Sequence, residues 1–177
     1  AAPHTDFIIY NIPQLAGVAL SVELLREMRK NPRVIGVKNS SMPTQDIQMF
    51  KAELGDTGVV FNGPDEQFVS GRAIGAQGGI GGTYAVMPEL FVKMDELIRA
   101  GMLEDACKVQ YDINGIIHAL CACHGNLYAV MKKVLELREG LCLGGVRAPL
   151  PGVIGSDLPQ IEKCARTISE AIRKYCA

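Results

Sequence analysis

Val34-Ile35-Gly36-Val37-Lys38 is a short apolar run that ends in one cation. Apolar on both faces, it predicts a parallel strand covered on each side. Asn31-Pro32 lies just before it and stops a helix that Ser21 can cap, running from Val22 to about Lys30, with Leu24, Leu25 and Met28 as its apolar stripe. Further upstream, Phe7-Ile8-Ile9-Tyr10 is a second β-rich run, closed by Asn11-Ile12-Pro13. Downstream, Pro43 and Thr44 open a helix through about Leu54. Gly58-Val59-Val60-Phe61 is a third strand, closed by Asn62-Gly63-Pro64-Asp65, and a helix from Glu66 to Ile74 follows with Gly75 as its C-cap. Ala76 to Thr83, rich in glycine, reads as a fourth short strand.

Beyond that point only helices are expected. Pro88 starts one that ends at Gly101. Ala106 to Leu120 and Leu127 to Leu137 carry apolar residues at helical spacing, and after a Gly/Pro-rich loop (140 to 155) so do Leu158, Ile161, Ala165, Ile168 and Ile172. The order β-α-β-α-β-α-β followed by helices implies an α/β protein with a parallel sheet. Four such strands suit either a small open sheet or half of an eight-stranded barrel, a fold of about 250 residues.

Composition narrows the partners. The 177 residues carry 18 basic and 19 acidic side chains, a formal charge of −1, so no basic field exists to attract nucleic acid or an anionic membrane surface. Trp is absent and no apolar run approaches the length of a bilayer span. The opening residues, Ala1 to Asp6, lack a basic segment followed by an apolar one, so no export signal is read there and a cytoplasmic location is expected. The six cysteines fall mostly on apolar helix faces and are expected to be reduced and buried. Cys121, Cys123 and His124 form a C-x-C-H cluster without a second ligand pair, and His118 and His124 read as structural, so no metal is expected. The Gly78–Gly82 run lacks the G-x-G-x-x-G spacing, which excludes a dinucleotide cofactor.

Lys38 stands at the C-terminal end of its strand, the end where parallel α/β sheets and barrels carry their active sites. Desolvation there disfavours an ammonium, and a free amine attacks ketones to form an imine. Gly36, on the same face by the period of two, leaves room beneath it for a small substrate. A lysine snorkelling into solvent is the other reading. Tyr10 ends the neighbouring strand and could relay a proton to a group held by Lys38, or simply keep a wet hydroxyl. Ser40 and Ser41 follow the lysine and could bind substrate or turn the chain. Asp65 and Glu66, beside Gly63, could accept hydrogen bonds from substrate hydroxyls and also suit a helix N-terminus. Gly81 and Gly82 belong to a run that permits close backbone approach to a ligand.

Four ordered stretches resemble the N-acetylneuraminate lyase / dihydrodipicolinate synthase superfamily: Tyr10-Asn11-Ile12-Pro13, Ile35 to Ser41, Asn62 to Glu66, and Gly78 to Tyr84. The resemblance covers the whole chain. It implies strands five to eight of a (β/α)8 barrel, with residues 1–100 as the half-barrel and 101–177 as a helical extension packed on it. It implies a pyruvate-dependent aldolase without metal or organic cofactor, in which Lys38 is the Schiff-base lysine and Tyr10 the proton shuttle. Ser40 matches a hydroxyl position beside the sugar acid. Gly63, Asp65, Glu66 and Gly81 match positions that contact the sugar chain, and Gly82 falls where those lyases often carry a serine. Leu15 stands where the synthases usually carry an arginine, which favours the lyase branch. The implied partners are a small keto acid or sugar acid substrate and further copies of the chain, as a family tetramer or as paired half-barrels. The resemblance also implies that the loop gripping the pyruvate carboxylate lies in the other half of the barrel.

Overall fold

A computed structural model describes residues 3–176. Ala1 and Ala2, part of the opening segment discussed above, lie outside the described residues, as does Ala177. The chain divides into two compact units, residues 1–81 and 82–177.

The first unit is built on a parallel sheet of four strands, β1 (Phe7–Asn11), β2 (Val34–Asn39), β3 (Val59–Asn62) and β4 (Gly78–Gly79), in that spatial order. Tyr10 pairs with Lys38, Lys38 with Phe61, and Phe61 with Gly78. Between the strands run α1 (Pro13–Ala16), α2 (Val22–Met28), α3 (Gln45–Leu54) and α4 (Phe68–Ala73). Ser21 caps α2 as its sequence predicts, its Oγ accepting from Leu24 N at 3.1 Å. Val37 and Val60, with Leu25, Ile47, Phe50 and Leu54, form one buried cluster, so α2 and α3 cover a single face of the sheet.

The other face departs from the expectation of cover on both sides. Ile8 and Tyr10 are 41% and 52% exposed, because the residues alternating with Ile9 and Val37 point away from those helices. The fourth strand is also shorter than the expected Ala76–Thr83, at two residues, with a 3-10 turn over Thr83–Ala85 close behind. Glycine adds no cross-strand side chain and loses the most backbone freedom, so the run supports little ladder. The helix expected from Glu66 begins as a 3-10 turn (Asp65–Gln67), and its C-cap is Ile74, with Gly75 following at a φ of 114°.

The second unit is helical: α5 (Pro88–Arg99), α6 (Leu103–Cys121), α7 (Leu127–Glu139) and α8 (Leu158–Cys176). Buried residues recur at three- and four-residue intervals, as in Ile161, Cys164, Ala165, Ile168 and Ala171 of α8. Asp157 is 2% exposed and ties the segment before α7 to the segment before α8. Its carboxylate accepts from His124 N at 2.8 Å, Gly125 N at 3.0 Å and Ile154 N at 3.1 Å. The His124 backbone amide foremost holds this carboxyl down at about 2, against the opposing effect of burial.

The cysteines correct another expectation. All six are free, but Cys164 alone is buried, Cys107 and Cys123 are half-buried, and Cys121, Cys142 and Cys176 are exposed. Cys142 sits in the loop after α7 and Cys176 in the last turn of α8, where little packs over them. Among the described residues no helix is long and apolar enough to cross a membrane.

Candidate active site

The parallel register brings Tyr10 and Lys38 side by side at the C-terminal end of the sheet. Lys38 Nζ stands 3.9 Å from the centroid of the Tyr10 ring. Period-two alternation places both on the face away from α2 and α3, while their neighbour Val37 is fully buried beneath. The expectation of a dry amine is met only in part: Lys38 is half-buried and Tyr10 more than half exposed, because the helices of this unit lie on the opposite face.

Gly36 serves a different purpose from the one its sequence position suggested. A Cβ there would lie 2.4 Å from both the Cγ2 and the carbonyl oxygen of Val59. The space beneath Lys38 is therefore filled by β3, and glycine lets the two strands close up rather than clearing room for a substrate.

Ser40 follows directly. Its backbone N donates to Asn11 O at 2.7 Å, which ties the loop after β2 to the end of β1. A Cβ on Gly63 would fall 2.0 Å from Ser40 Oγ and 2.6 Å from Asn39 O, so the serine hydroxyl occupies the place of the missing side chain. Asp65 and Glu66 form the 3-10 turn just past β3, at the same end of the sheet as Lys38; Asp65 is buried and Glu66 exposed. Gly81 lies two residues past β4, half-buried. Gly82 opens the second unit, where a Cβ would meet Tyr128 Cε1 at 3.3 Å and Met131 Cε at 3.4 Å. His124 turns its ring Nδ1 to within 3.1 Å of Asp157. No group of three potential metal ligands occurs among the described residues.

The buried polar layer behind these residues was not singled out in the sequence. Asn11, Asn39 and Asn62 end β1, β2 and β3 on one register row, and are 4%, 1% and 0% exposed. Each follows a residue of the open face, so each points to the helix side. An asparagine at the last position of three successive parallel strands is the signal that could have marked them.

A lysine and a tyrosine on adjacent strand ends, with a serine in the following loop, stand at the C-terminal end of the sheet of a parallel α/β protein. Residues 1–168 match the dihydrodipicolinate synthetase family, and the chain belongs to that family. It is 59% identical over 175 residues to the N-acetylneuraminate lyase of Mediterraneibacter gnavus, covering 99% of this chain and 56% of that protein. The structure superposes on the catalytic lysine mutant of the Ruminococcus gnavus sialic acid aldolase with a TM-score of 0.97 at 59% identity, over 98% of this chain and 57% of the other. The N-acetylneuraminate lyase of Fusobacterium nucleatum gives a TM-score of 0.78 at 28% identity, over 96% and 55%. The chain thus spans little more than half the length of these relatives.

Proposed function

We propose that the chain supplies strands five to eight of a (β/α)8 barrel and the catalytic pair of a Schiff-base aldolase that cleaves N-acetylneuraminate to N-acetylmannosamine and pyruvate. The observation that carries this reading is the Lys38 amine standing 3.9 Å from the Tyr10 ring centroid on adjacent strand ends. The 59% identity to an N-acetylneuraminate lyase and the catalytic lysine named for the Ruminococcus gnavus aldolase support it. Leu15, 81% exposed in α1, supports the lyase branch over the synthases that resemble this chain.

In this reading Lys38 Nζ attacks the 2-keto carbon of the open-chain sugar acid and water leaves, giving a protonated imine. Tyr10 takes the proton from the hydroxyl at the bond to be broken. That carbon–carbon bond cleaves, its electrons pass to the imine nitrogen, and the aldehyde of N-acetylmannosamine departs. The enamine left on Lys38 is protonated on carbon and hydrolysed, releasing pyruvate and the free amine. Ser40, Gly63, Asp65, Glu66 and Gly81 line the path of the sugar chain. The reaction calls on no metal or organic cofactor, and the protein works in the cytoplasm as a homo-oligomer.

The assay is release of pyruvate from N-acetylneuraminate, compared with other 2-keto-3-deoxy sugar acids and with condensation of pyruvate and aspartate semialdehyde. Preferred cleavage of N-acetylneuraminate is expected. Preferred condensation would overturn the lyase reading in favour of a synthase.

A further inference from the structure

Behind the lysine and tyrosine runs a chain of hydrogen bonds whose direction is fixed at both ends. It begins at the backbone N of Leu20, which can only donate, and which gives its hydrogen to Asn11 Oδ1 at 3.0 Å. That contact sets the Asn11 amide, so its Nδ2 faces β2 and donates to Asn39 Oδ1 at 2.7 Å. The Asn39 amide is set in turn, and its Nδ2 donates to Ser41 Oγ at 2.9 Å. Ser41 has one hydrogen left to give. Of its two acceptors, Asp46 Oδ2 at 2.6 Å is charged and close, and Pro43 O at 3.4 Å is neither. The chain therefore ends on a carboxylate in the first turn of α3.

Asn39 is the hub of this arrangement. Its side chain joins β1 to the loop after β2, and its backbone carbonyl accepts from Gly63 N at 2.7 Å, which joins β3. It is 1% exposed and immediately follows Lys38. A buried amide with both ends paired holds its backbone in one place, since any shift leaves a donor or acceptor buried and unpaired.

We propose that Asn39 is a positioning residue for the Lys38–Tyr10 pair, acting through this one-way chain from Leu20 to Asp46; the proposal rests on the aldolase reading of that pair. The chain fixes the strand end that carries the amine against the strand end that carries the phenol, and holds the loop of Ser40. None of its members need touch substrate.

The chain's direction gives a specific test. Asn39→Asp keeps size and still accepts from Asn11, but removes the donor to Ser41. Two carboxylates then compete for one serine hydrogen. Asp46→Asn alone is mild, because an amide oxygen still accepts from Ser41. In the double variant Asn39→Asp/Asp46→Asn, the amide at 46 turns its nitrogen to Ser41, whose hydrogen passes to the carboxylate at 39; every group is paired, with the direction reversed between 46 and 39 and kept between Leu20 and 39.

The readout is borohydride trapping of the pyruvate imine on Lys38, in protein expressed from its full coding sequence, with the folded fraction measured by near-UV circular dichroism. Asn39→Asp is expected to lower the maximal trapping rate roughly tenfold or more, the loss that small misplacements of reacting groups produce. The pyruvate concentration at half-saturation should change little. Asp46→Asn should stay near wild type, and the double variant should recover most of the rate. Trapping by Asn39→Asp at the wild-type rate per folded molecule, or a double variant no faster than Asn39→Asp, would overturn the proposal. If Asn39→Asp does not fold, Ser41→Ala breaks the same chain: a lowered maximal rate is expected, and an unchanged one overturns it. A wild-type protein that forms no adduct on Lys38 brings down the aldolase reading itself, a result distinct from all of these.

Discussion

Ser40 Oγ lies 2.0 Å from the point where a side chain on Gly63 would begin. The hydroxyl can rotate aside, but Asn39 O at 2.6 Å and Ser40 Cα at 2.9 Å from that point are backbone, and Gly63 N is bonded to the same oxygen at 2.7 Å, so full relief means breaking the tie between β2 and β3. Gly63→Ala should lower stability by about 1–3 kcal/mol, the usual result of overpacking. Gly115→Ala is the control: it lies within α6, nothing stands within 4 Å of an added Cβ, and a gain of about 0.5–1 kcal/mol is expected. Chemical denaturation of both variants checks the pair. A Gly63→Ala protein as stable as its parent would contradict the close approach.

Asp157 should make the helical unit sensitive to acid. Folding lowers its carboxyl from 3.8 to about 2, chiefly through the His124 backbone amide, so the fold favours the ionised form. That stabilisation is complete above the unfolded value, near pH 4, and is lost as pH falls toward 2. Asp157→Asn should therefore melt below wild type at pH 5, with the gap narrowing as pH approaches 2. A gap that does not change with pH would rule out this role for the charge.

Ile168 is fully buried on α8, and its truncation should leave a cavity. Ile168→Ala is expected to cost about 2–5 kcal/mol by equilibrium unfolding. Replacing the exposed Tyr111 of α6 with Ala should change stability by no more than about 0.5 kcal/mol.

Tyr10→Phe separates proton transfer from imine formation. The ring that faces the Lys38 amine is retained and the hydroxyl is lost. Turnover of N-acetylneuraminate should fall about 100- to 10,000-fold, the range for loss of a general acid–base group. Borohydride with pyruvate should still label Lys38. Full activity in Tyr10→Phe would remove the tyrosine from the mechanism.

The alternation of strands and helices was legible because each longer strand is a short apolar run bounded by turn residues and a helix repeats every three to four residues. The places of Lys38 and Tyr10 on neighbouring strand ends were legible for a related reason: each is a polar residue at the end of an apolar run. The role of Gly36 was not, because it depends on Val59, a residue 23 positions away that meets it only through strand pairing. The asparagine layer was hidden in the same way, since Asn11, Asn39 and Asn62 look like ordinary strand-closing residues until register sets them in one row. The exposure of Cys121 and Cys176 was misread because a cysteine near a helix end shares the apolar spacing without sharing the burial.

The most direct test is peptide mapping by mass spectrometry after borohydride reduction with pyruvate, on protein expressed from its full coding sequence. The account predicts one reduced pyruvyl adduct, on the peptide that contains Lys38, and none in Lys38→Met. No adduct, or an adduct on another lysine with Lys38 unmodified, would contradict it.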